Sequence, residues 1–272
     1  MTQKPRSSWL SRETSVAGAI ERRATRAALL AEDSINAAAL QFAAGLYRAQ
    51  AEVAVALAEC GVPLSGSLVQ DLDVLAPLLE GMVRYAAEMG PPGLRADVDA
   101  YLAAGQARLV EWWRGSRAGR VDYLSRALLR PYAETLVAAG VTPEPAAPAP
   151  SPGACLRCGG PAWIGWRRSG SGDEAAQRFL GCGVCGSERQ LGRIACAACG
   201  ETSPDKLPVF QTERYPGVRI EACDACLRYH KSIDLTLDGR AIPEVDDLCS
   251  LSLDLWAVEQ GYERLEPSLA GV

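Results

Sequence analysis

The sequence predicts an α+β protein: an N-terminal helical bundle, two tandem four-cysteine modules of the zinc-ribbon kind, and a C-terminal helix. Three observations carry that expectation. Residues 1–140 keep a helical spacing of apolar side chains, broken by glycine and proline. Residues 141–154, VTPEPAAPAPSPGA, are rich in proline and alanine. Beyond them, eight of the ten cysteines fall into four C-x-x-C pairs.

The helical half comes first. In AEDSINAAALQFAAGLYRAQAEVAVALAEC, Leu40, Ala43, Ala44, Tyr47 and Ala51 recur at helical spacing. Cys60-Gly61-Val62-Pro63 ends that run, as glycine and proline do after a helix. Further breaks fall at Gly90-Pro91-Pro92-Gly93 and between Gly115 and Gly119, and Pro131 is expected to begin or kink the last helix. About five helices are expected in this bundle. The segment 141–154 has little to bury and reads as a semi-rigid spacer.

The composition then changes. Trp163, Ile164, Trp166, Phe179, Leu180, Val209, Phe210 and Ile220 lie in short runs between the cysteine pairs, which suits β-hairpins. A last helix is expected over 244–263, with Leu248, Leu251, Leu255 and Val258 as its apolar stripe. Glu244, Asp246 and Asp247 stand at its N-terminus, where the helix dipole favours them. The expected division is 1–140 helical, 141–154 spacer, 155–195 first module, 196–243 second module, and 244–272 helix and tail.

The cysteine pairs are Cys155/Cys158, Cys182/Cys185, Cys196/Cys199 and Cys223/Cys226. Each cysteine of the first two pairs recurs 41 positions later, so C-x2-C-x23-C-x2-C is an internal repeat. The sites are therefore expected to be sequential: Cys155, Cys158, Cys182 and Cys185 in one, Cys196, Cys199, Cys223 and Cys226 in the other. Nested sharing of the inner four would leave the repeat without a purpose. Two cysteines three apart in a tight turn aim both thiolates at one ion, and a second turn completes a tetrahedron. Gly159, Gly186 and Gly200 follow three pairs and tolerate the positive φ such turns need; Leu227 follows the fourth, where a looser turn is expected. Zinc and a single iron suit four sulfurs equally. Redox-active dithiols are the weaker reading, since four pairs in one repeat point to ligation.

Other residues read plainly. His230 is the single histidine, and no nucleophile or acid–base set accompanies it, so no enzyme is expected. It reads as a surface or packing residue, because eight cysteines already fill two tetrahedra. Cys60 and Cys249 read as small buried hydrophobes. The formal net charge of −5 argues against nucleic acid as a partner. Arg157, Arg167, Arg168, Arg178, Arg189 and Arg193 make a local excess over Asp173, Glu174 and Glu188. They serve either as a contact for RNA, DNA or an acidic protein segment, or to offset the negative charge of a metal–thiolate site. With no export signal and no apolar run of about 18 residues, a cytoplasmic protein without membrane insertion is expected.

The tandem pattern, the stretch IEACDACLRYHKSIDL and the segment VDDLCSLSLDLWAVEQGY resemble the formate dehydrogenase accessory protein family, FdhE. In the helical half, AAALQFAAGLYRAQAEVA and SRALLRPYAETLV are similar too. The resemblance implies a cytoplasmic, non-catalytic maturation factor with two rubredoxin-like modules holding iron or zinc. It implies as partner the molybdenum- or tungsten-containing catalytic subunit of formate dehydrogenase, bound before export. It assigns the eight cysteines as metal ligands and matches Tyr229, Lys231, Asp246, Asp247 and Leu248 to family positions. His230 departs from an aliphatic position, and the ending YERLEPSLAGV lacks the family's Asn-Pro-containing apolar tail. A zinc-ribbon nucleic-acid binder and a rubredoxin-like electron-transfer protein stand as alternatives.

Overall fold

The computed structural model describes residues 15–144, 152–169 and 176–268. Half of the Pro/Ala spacer, residues 145–151, together with Asp173, Glu174 and the last four residues of the tail, lies outside that range. Helices come first and strands follow, an α+β arrangement. The described helical half contains α1 (Val16–Ala31), α2 (Ala37–Glu59), α3 (Leu68–Leu75), α4 (Glu80–Met89), α5 (Arg95–Ala104), α6 (Gln106–Arg114) and α7 (Tyr123–Ala138). These are more and shorter pieces than the five expected. A 3-10 turn, Ala76–Leu79, links α3 to α4, and another, Pro92–Leu94, leads into α5. The spaced residues Leu40, Ala43, Ala44, Tyr47 and Ala51 of α2 are all buried.

Pro131 does not begin a helix: α7 runs through it from Tyr123 to Ala138. A proline removes the amide that would bond to the carbonyl four residues back. That carbonyl, Ala127 O, instead accepts a bond from the buried Gln50 Nε2 of α2 at 2.8 Å. The neighbouring helix thus satisfies the group that proline orphans. Asp122 caps α7, its side chain accepting from Ser125 N at 2.9 Å.

The strands are β1 (Ala162–Arg168), β2 (Gln177–Cys182), β3 (Glu188–Leu191), β4 (Val209–Gln211), β5 (Val218–Cys223), β6 (Arg228–Asp234) and β7 (Glu263–Arg264). The 41-residue repeat is visible in them: β2 shifted by 41 residues is β5, end for end. The two repeats share one sheet of order β3-β2-β1-β6-β5-β4, and β7 pairs with β6. β1 and β6 run parallel at the junction, Gly165 opposite Ser232, while pairs within each repeat are antiparallel. β4, preceded by Pro208, has three residues and lies at the edge.

One hydrophobic core joins the helices to the first repeat. It runs from Leu40 and Tyr132 through Trp163 to Cys158, Cys182 and Cys185. The second repeat has its own small cluster of Ile220, Ala222, Tyr229 and Ala257.

The single helix expected over 244–263 is broken in two, α8 (Pro243–Asp246) and α9 (Leu251–Glu259), with a 3-10 turn at Asp247–Ser250 between them. The reason is Lys231 of β6. Its Nζ donates to Asp247 O at 2.8 Å and Ser250 O at 3.2 Å, carbonyls that an unbroken helix would use itself. The break turns α9 so that Asp254 and Ala257 are buried, while Leu255 and Val258 are each 60 % exposed. The expected apolar stripe is therefore split: Leu248 enters the core and the other end faces outward.

Candidate metal centres

Every C-x-x-C pair sits in the same turn. The amide of the residue after each pair donates back to the carbonyl of its first cysteine: Gly159 N to Cys155 O at 2.9 Å, Gly186 N to Cys182 O at 3.2 Å, Gly200 N to Cys196 O at 3.1 Å, and Leu227 N to Cys223 O at 2.8 Å. The residue after each pair has a positive φ, 71° at Gly159, 67° at Gly186, 79° at Gly200 and 55° at Leu227. The looser fourth turn expected from Leu227 is not found. That leucine takes the left-handed conformation despite its side chain, because the β5–β6 hairpin, Cys223 opposite Arg228, dictates the turn. Backbone amides then point at the sulfurs. Gly160 N lies 3.3 Å from Cys158 Sγ, Val184 N 3.4 Å from Cys182 Sγ, and Ala198 N 3.3 Å from Cys196 Sγ.

The turns pair sequentially. Cys155, Cys158, Cys182 and Cys185 form one group, and Cys196, Cys199, Cys223 and Cys226 the other, with all sulfurs of a group within 4.8 Å of one another. Cross-turn Sγ···Sγ distances are 3.7 Å for Cys155–Cys185, 3.5 Å for Cys158–Cys182, 3.8 Å for Cys196–Cys226 and 3.7 Å for Cys199–Cys223. A tetrahedron of sulfurs about 2.3 Å from an ion has edges of about 3.8 Å, so both groups fit a mononuclear metal. Such crowding splits the thiols. Hydrogen bonds from Cys158, Cys182 and Cys185 hold Cys155 well below the usual thiol range, while the bond to Cys155 raises Cys158. Sulfurs that share protons at this distance are poised to exchange them for a cation.

The first group is enclosed by helical side chains. Cys158, Cys182 and Cys185 are buried. Arg117, fully buried, donates to Cys158 O at 2.7 Å and to Trp113 O at 2.6 Å, and its guanidinium stacks on the Trp113 ring at 3.8 Å. Arg126 and Arg130 of α7 lie 5.1 and 4.9 Å from the Trp163 ring centre. Arg23 and Arg130 both pair with Glu134 and with Glu244, the latter carboxylate coming from α8. Gly186 sits against Glu134: a Cβ there would lie 3.1 Å from its carboxylate oxygen. Asp246 accepts from Arg26 Nε at 3.1 Å. Glu244 and Asp246 therefore clamp α8 to α1 and α7 rather than merely facing a helix dipole.

The second group is open: Cys199 is exposed and Cys226 half-buried. Behind it, on the other face of β6, lies a buried charge network. Lys231 Nζ is 2.6 Å from Asp254 Oδ2 and 2.9 Å from Asp247 Oδ1; Arg264 closes the square at 2.7 Å to Asp254 and 2.8 Å to Asp247. Tyr229 Oη donates to Asp254 Oδ1 at 2.9 Å. Burial works against the Asp247 carboxylate, but Arg264 and Lys231 outweigh it and hold it below the usual range. Tyr229, Lys231 and Asp247 were singled out in sequence; Asp254 and Arg264 were not. The available signal was Asp254, an acid on the buried side of an otherwise apolar helix.

Elsewhere Arg167 pairs with Asp234 at 3.3 Å, Arg168 with Glu188 at 2.6 Å, Arg178 with Glu221, and Arg189 donates to Pro152 O. Arg157 and Arg193 make no ion pair among the described residues. His230 is buried, Nε2 3.3 Å from Glu221 Oε2. Cys60 is exposed at the end of α2, against expectation, because Gly61 turns the chain outward there. Cys249 is half-buried, and burial pushes its thiol up to about 11. No described helix is long and apolar enough to cross a membrane.

Residues 194–270 match the family model described as the FdhE C-terminal domain. The chain is 39 % identical over 99 residues to the protein FdhE homolog of Aquifex aeolicus, covering 36 % of this chain and 35 % of that one. It is 32 % identical over 169 residues to the FdhE homolog of Pseudomonas putida, covering 61 % of this chain and 52 % of that one. The matched parts thus span about a third to a half of these relatives' lengths. The crystal structure of the FdhE protein from Pseudomonas aeruginosa superposes with a TM-score of 0.66 over 96 % of both chains, at 23 % identity. The part of the chain that carries the open four-cysteine group, residues 194–270, is thus similar to the FdhE C-terminal domain, and the fold of the chain is that of the FdhE protein from Pseudomonas aeruginosa over 96 % of both chains.

Proposed function

We propose that this chain is a non-catalytic, client-binding maturation factor of the cytoplasm, acting on the immature molybdenum- or tungsten-containing catalytic subunit of formate dehydrogenase. The observation that carries the reading is that the family match, residues 194–270, takes in the open second cysteine group and the segment that braces it. In this reading Cys155, Cys158, Cys182 and Cys185 hold one metal, and Cys196, Cys199, Cys223 and Cys226 the other. A bound zinc would cross-link turns and nothing more; a bound iron would add one-electron capacity.

The chain's own residues do the rest. The knuckle amides and the Lys231–Asp247–Asp254–Arg264 square fix the second module as a rigid surface. Such preorganisation lowers the ordering cost of gripping a client. The pairing of Arg167, Arg168 and Arg178 with carboxylates speaks against nucleic acid, since paired guanidiniums gain less from phosphates.

The test is affinity purification of the tagged chain from its host grown on formate, with co-eluting proteins identified by mass spectrometry. A formate dehydrogenase catalytic subunit is expected, and it is expected to be lost when Cys199 or Cys223 becomes serine. Recovery of a different oxidoreductase, or of nucleic acid, would overturn the reading.

A further inference from the structure

Alternation along the strands places two chemistries on opposite faces of the second module. Tyr229 and Lys231 point to α9, whereas Arg228 and His230 share the other face with Arg219 and Glu221, His230 lying opposite Glu221 in the β5–β6 register. On that second face a cavity of about 220 Å³ opens beside Cys196, roofed by the segment that joins the two modules. Gly165 of β1 makes room for the His230 ring, which a Cβ there would approach to 3.0 Å. Arg178 reaches across from β2 to Glu221 and so ties the two repeats together beneath the cavity.

The lining has an unbalanced charge. Four arginines, Arg178, Arg193, Arg219 and Arg228, line it against one carboxylate, Glu221, in a chain whose formal net charge is −5. Glu221 is already engaged by Arg178 and His230 through the same oxygen. Arg178 is engaged through both terminal nitrogens, donating also to Gly192 O at 2.8 Å and Arg193 O at 3.0 Å. The others are not. Arg193 is exposed and makes no ion pair among the described residues. Arg219 approaches Glu221 only to 3.9 Å and Asp234 only to 3.6 Å, beyond hydrogen-bonding distance. Arg228 reaches the exposed Glu263 at 3.5 Å. Guanidinium donors gathered on one face repel one another unless an anion joins them. The remaining walls, Ile194, Leu207, Pro208 and Val209, are apolar.

We propose that this cavity binds a carboxylate carried on a short apolar chain, its oxygens bridging Arg193, Arg219 and Arg228 and its tail lying on Ile194, Pro208 and Val209. The planar pair of oxygens matches a guanidinium fork. The fixed Glu221 at the base disfavours the denser charge of a phosphoryl dianion. A volume below the roughly 300–1,000 Å³ of drug-sized sites limits the occupant to a small acid or the last residue of a peptide. The inference stands apart from the maturation reading: it concerns the arginine face, and it holds or fails whatever client is found.

The experiment is ligand-observed saturation-transfer NMR on the metal-loaded full chain. Acetate, propionate and butyrate are compared with their amides, and a short peptide ending in valine with its C-terminal amide. Binding is expected for the acids, rising from acetate to butyrate, and absent for the amides. Arg193→Glu, a change at an exposed residue, is expected to weaken butyrate at least tenfold, and Arg219→Gln at least threefold. Competition of the peptide acid with butyrate would mark a protein C-terminus as the source, and binding of butyrate without the peptide a free metabolite acid. Equal signals for acids and amides, or no change with Arg193→Glu, would overturn the site. So would tighter binding of a short RNA that butyrate does not displace, which would mark a polyanion surface instead.

Discussion

Cys158 is fully buried under Arg117 and the helical core, whereas Cys199, its counterpart 41 residues later, is exposed. The two turns are otherwise alike, each with an amide on its first sulfur's carbonyl and a residue of positive φ after its second sulfur. Local sequence makes a knuckle; what packs against it decides whether the knuckle is part of a core or part of a surface. The first cluster shares one hydrophobic core with α2 and α7, and the second rests on a small cluster of its own and a square of buried charges. One repeat has thus been used twice, for cohesion and for presentation.

The sharpest way to break that comparison is to remove one ligand from each cluster. A structural four-cysteine zinc contributes about 10–16 kcal/mol of apparent binding free energy, most of it realised as folding. Cys158→Ser takes its share out of the common core, so the helical half is expected to unfold with it. The melting temperature should fall by roughly 10 °C or more, with the far-UV helical signal lost in the same transition. Cys199→Ser should leave that transition nearly in place and abolish only the second site's metal, counted by elemental analysis. Equal losses of helical stability in the two variants would show that the modules do not differ in coupling.

How much of this was legible in the sequence follows from the range of each interaction. The cysteine spacing is a local pattern, so the two four-cysteine groups and their sequential pairing could be read directly. The burial of Leu40, Ala43 and Tyr47 was equally legible, because helix periodicity is local. Arg117 against Cys158 O, by contrast, joins residues 41 apart through a fold not yet known. The α9 stripe was misread for the same reason. Leu255 and Val258 follow the helical period, but Lys231 takes the carbonyls of Asp247 and Ser250 and rotates the helix. Leu227 was misread in the opposite sense, since a hairpin imposed a conformation that its side chain disfavours.

The second module's charge square is built on its own strand β6, whereas the square beside the first module, Arg23 and Arg130 with Glu134 and Glu244, is built from helix residues. Removing one partner of a buried ion pair leaves the others unpaired and costs about 3–5 kcal/mol. Lys231→Met is expected to lose that much in urea unfolding of the second module, because Asp247 and Asp254 then share Arg264 alone. Lys231→Arg should not rescue it: a planar fork cannot reach two carbonyls and two carboxylates from the position of a compact ammonium. A loss below about 1 kcal/mol would mean that water enters and solvates the freed acids.

The smallest expected effect tests the one knuckle without glycine. Leu227 holds φ at 55°, a left-handed conformation that costs an L-residue about 1–2 kcal/mol. Its side chain is 55 % exposed, so it recovers only part of that by burial. Leu227→Gly removes the strain but loosens the unfolded chain, which offsets about 0.5–1 kcal/mol. The net expectation is a gain of roughly 0.5–1 kcal/mol, read as a higher urea midpoint with an unchanged slope. The three glycine knuckles give the control in reverse. Gly186→Leu brings both the strained φ and a side chain against Glu134, and should destabilise by more than Leu227→Gly stabilises. If Leu227→Gly were instead destabilising, the exposed leucine would be packing on the turn more tightly than its exposure indicates. The open cluster would then owe its rigidity to that side chain as well as to the charges behind it.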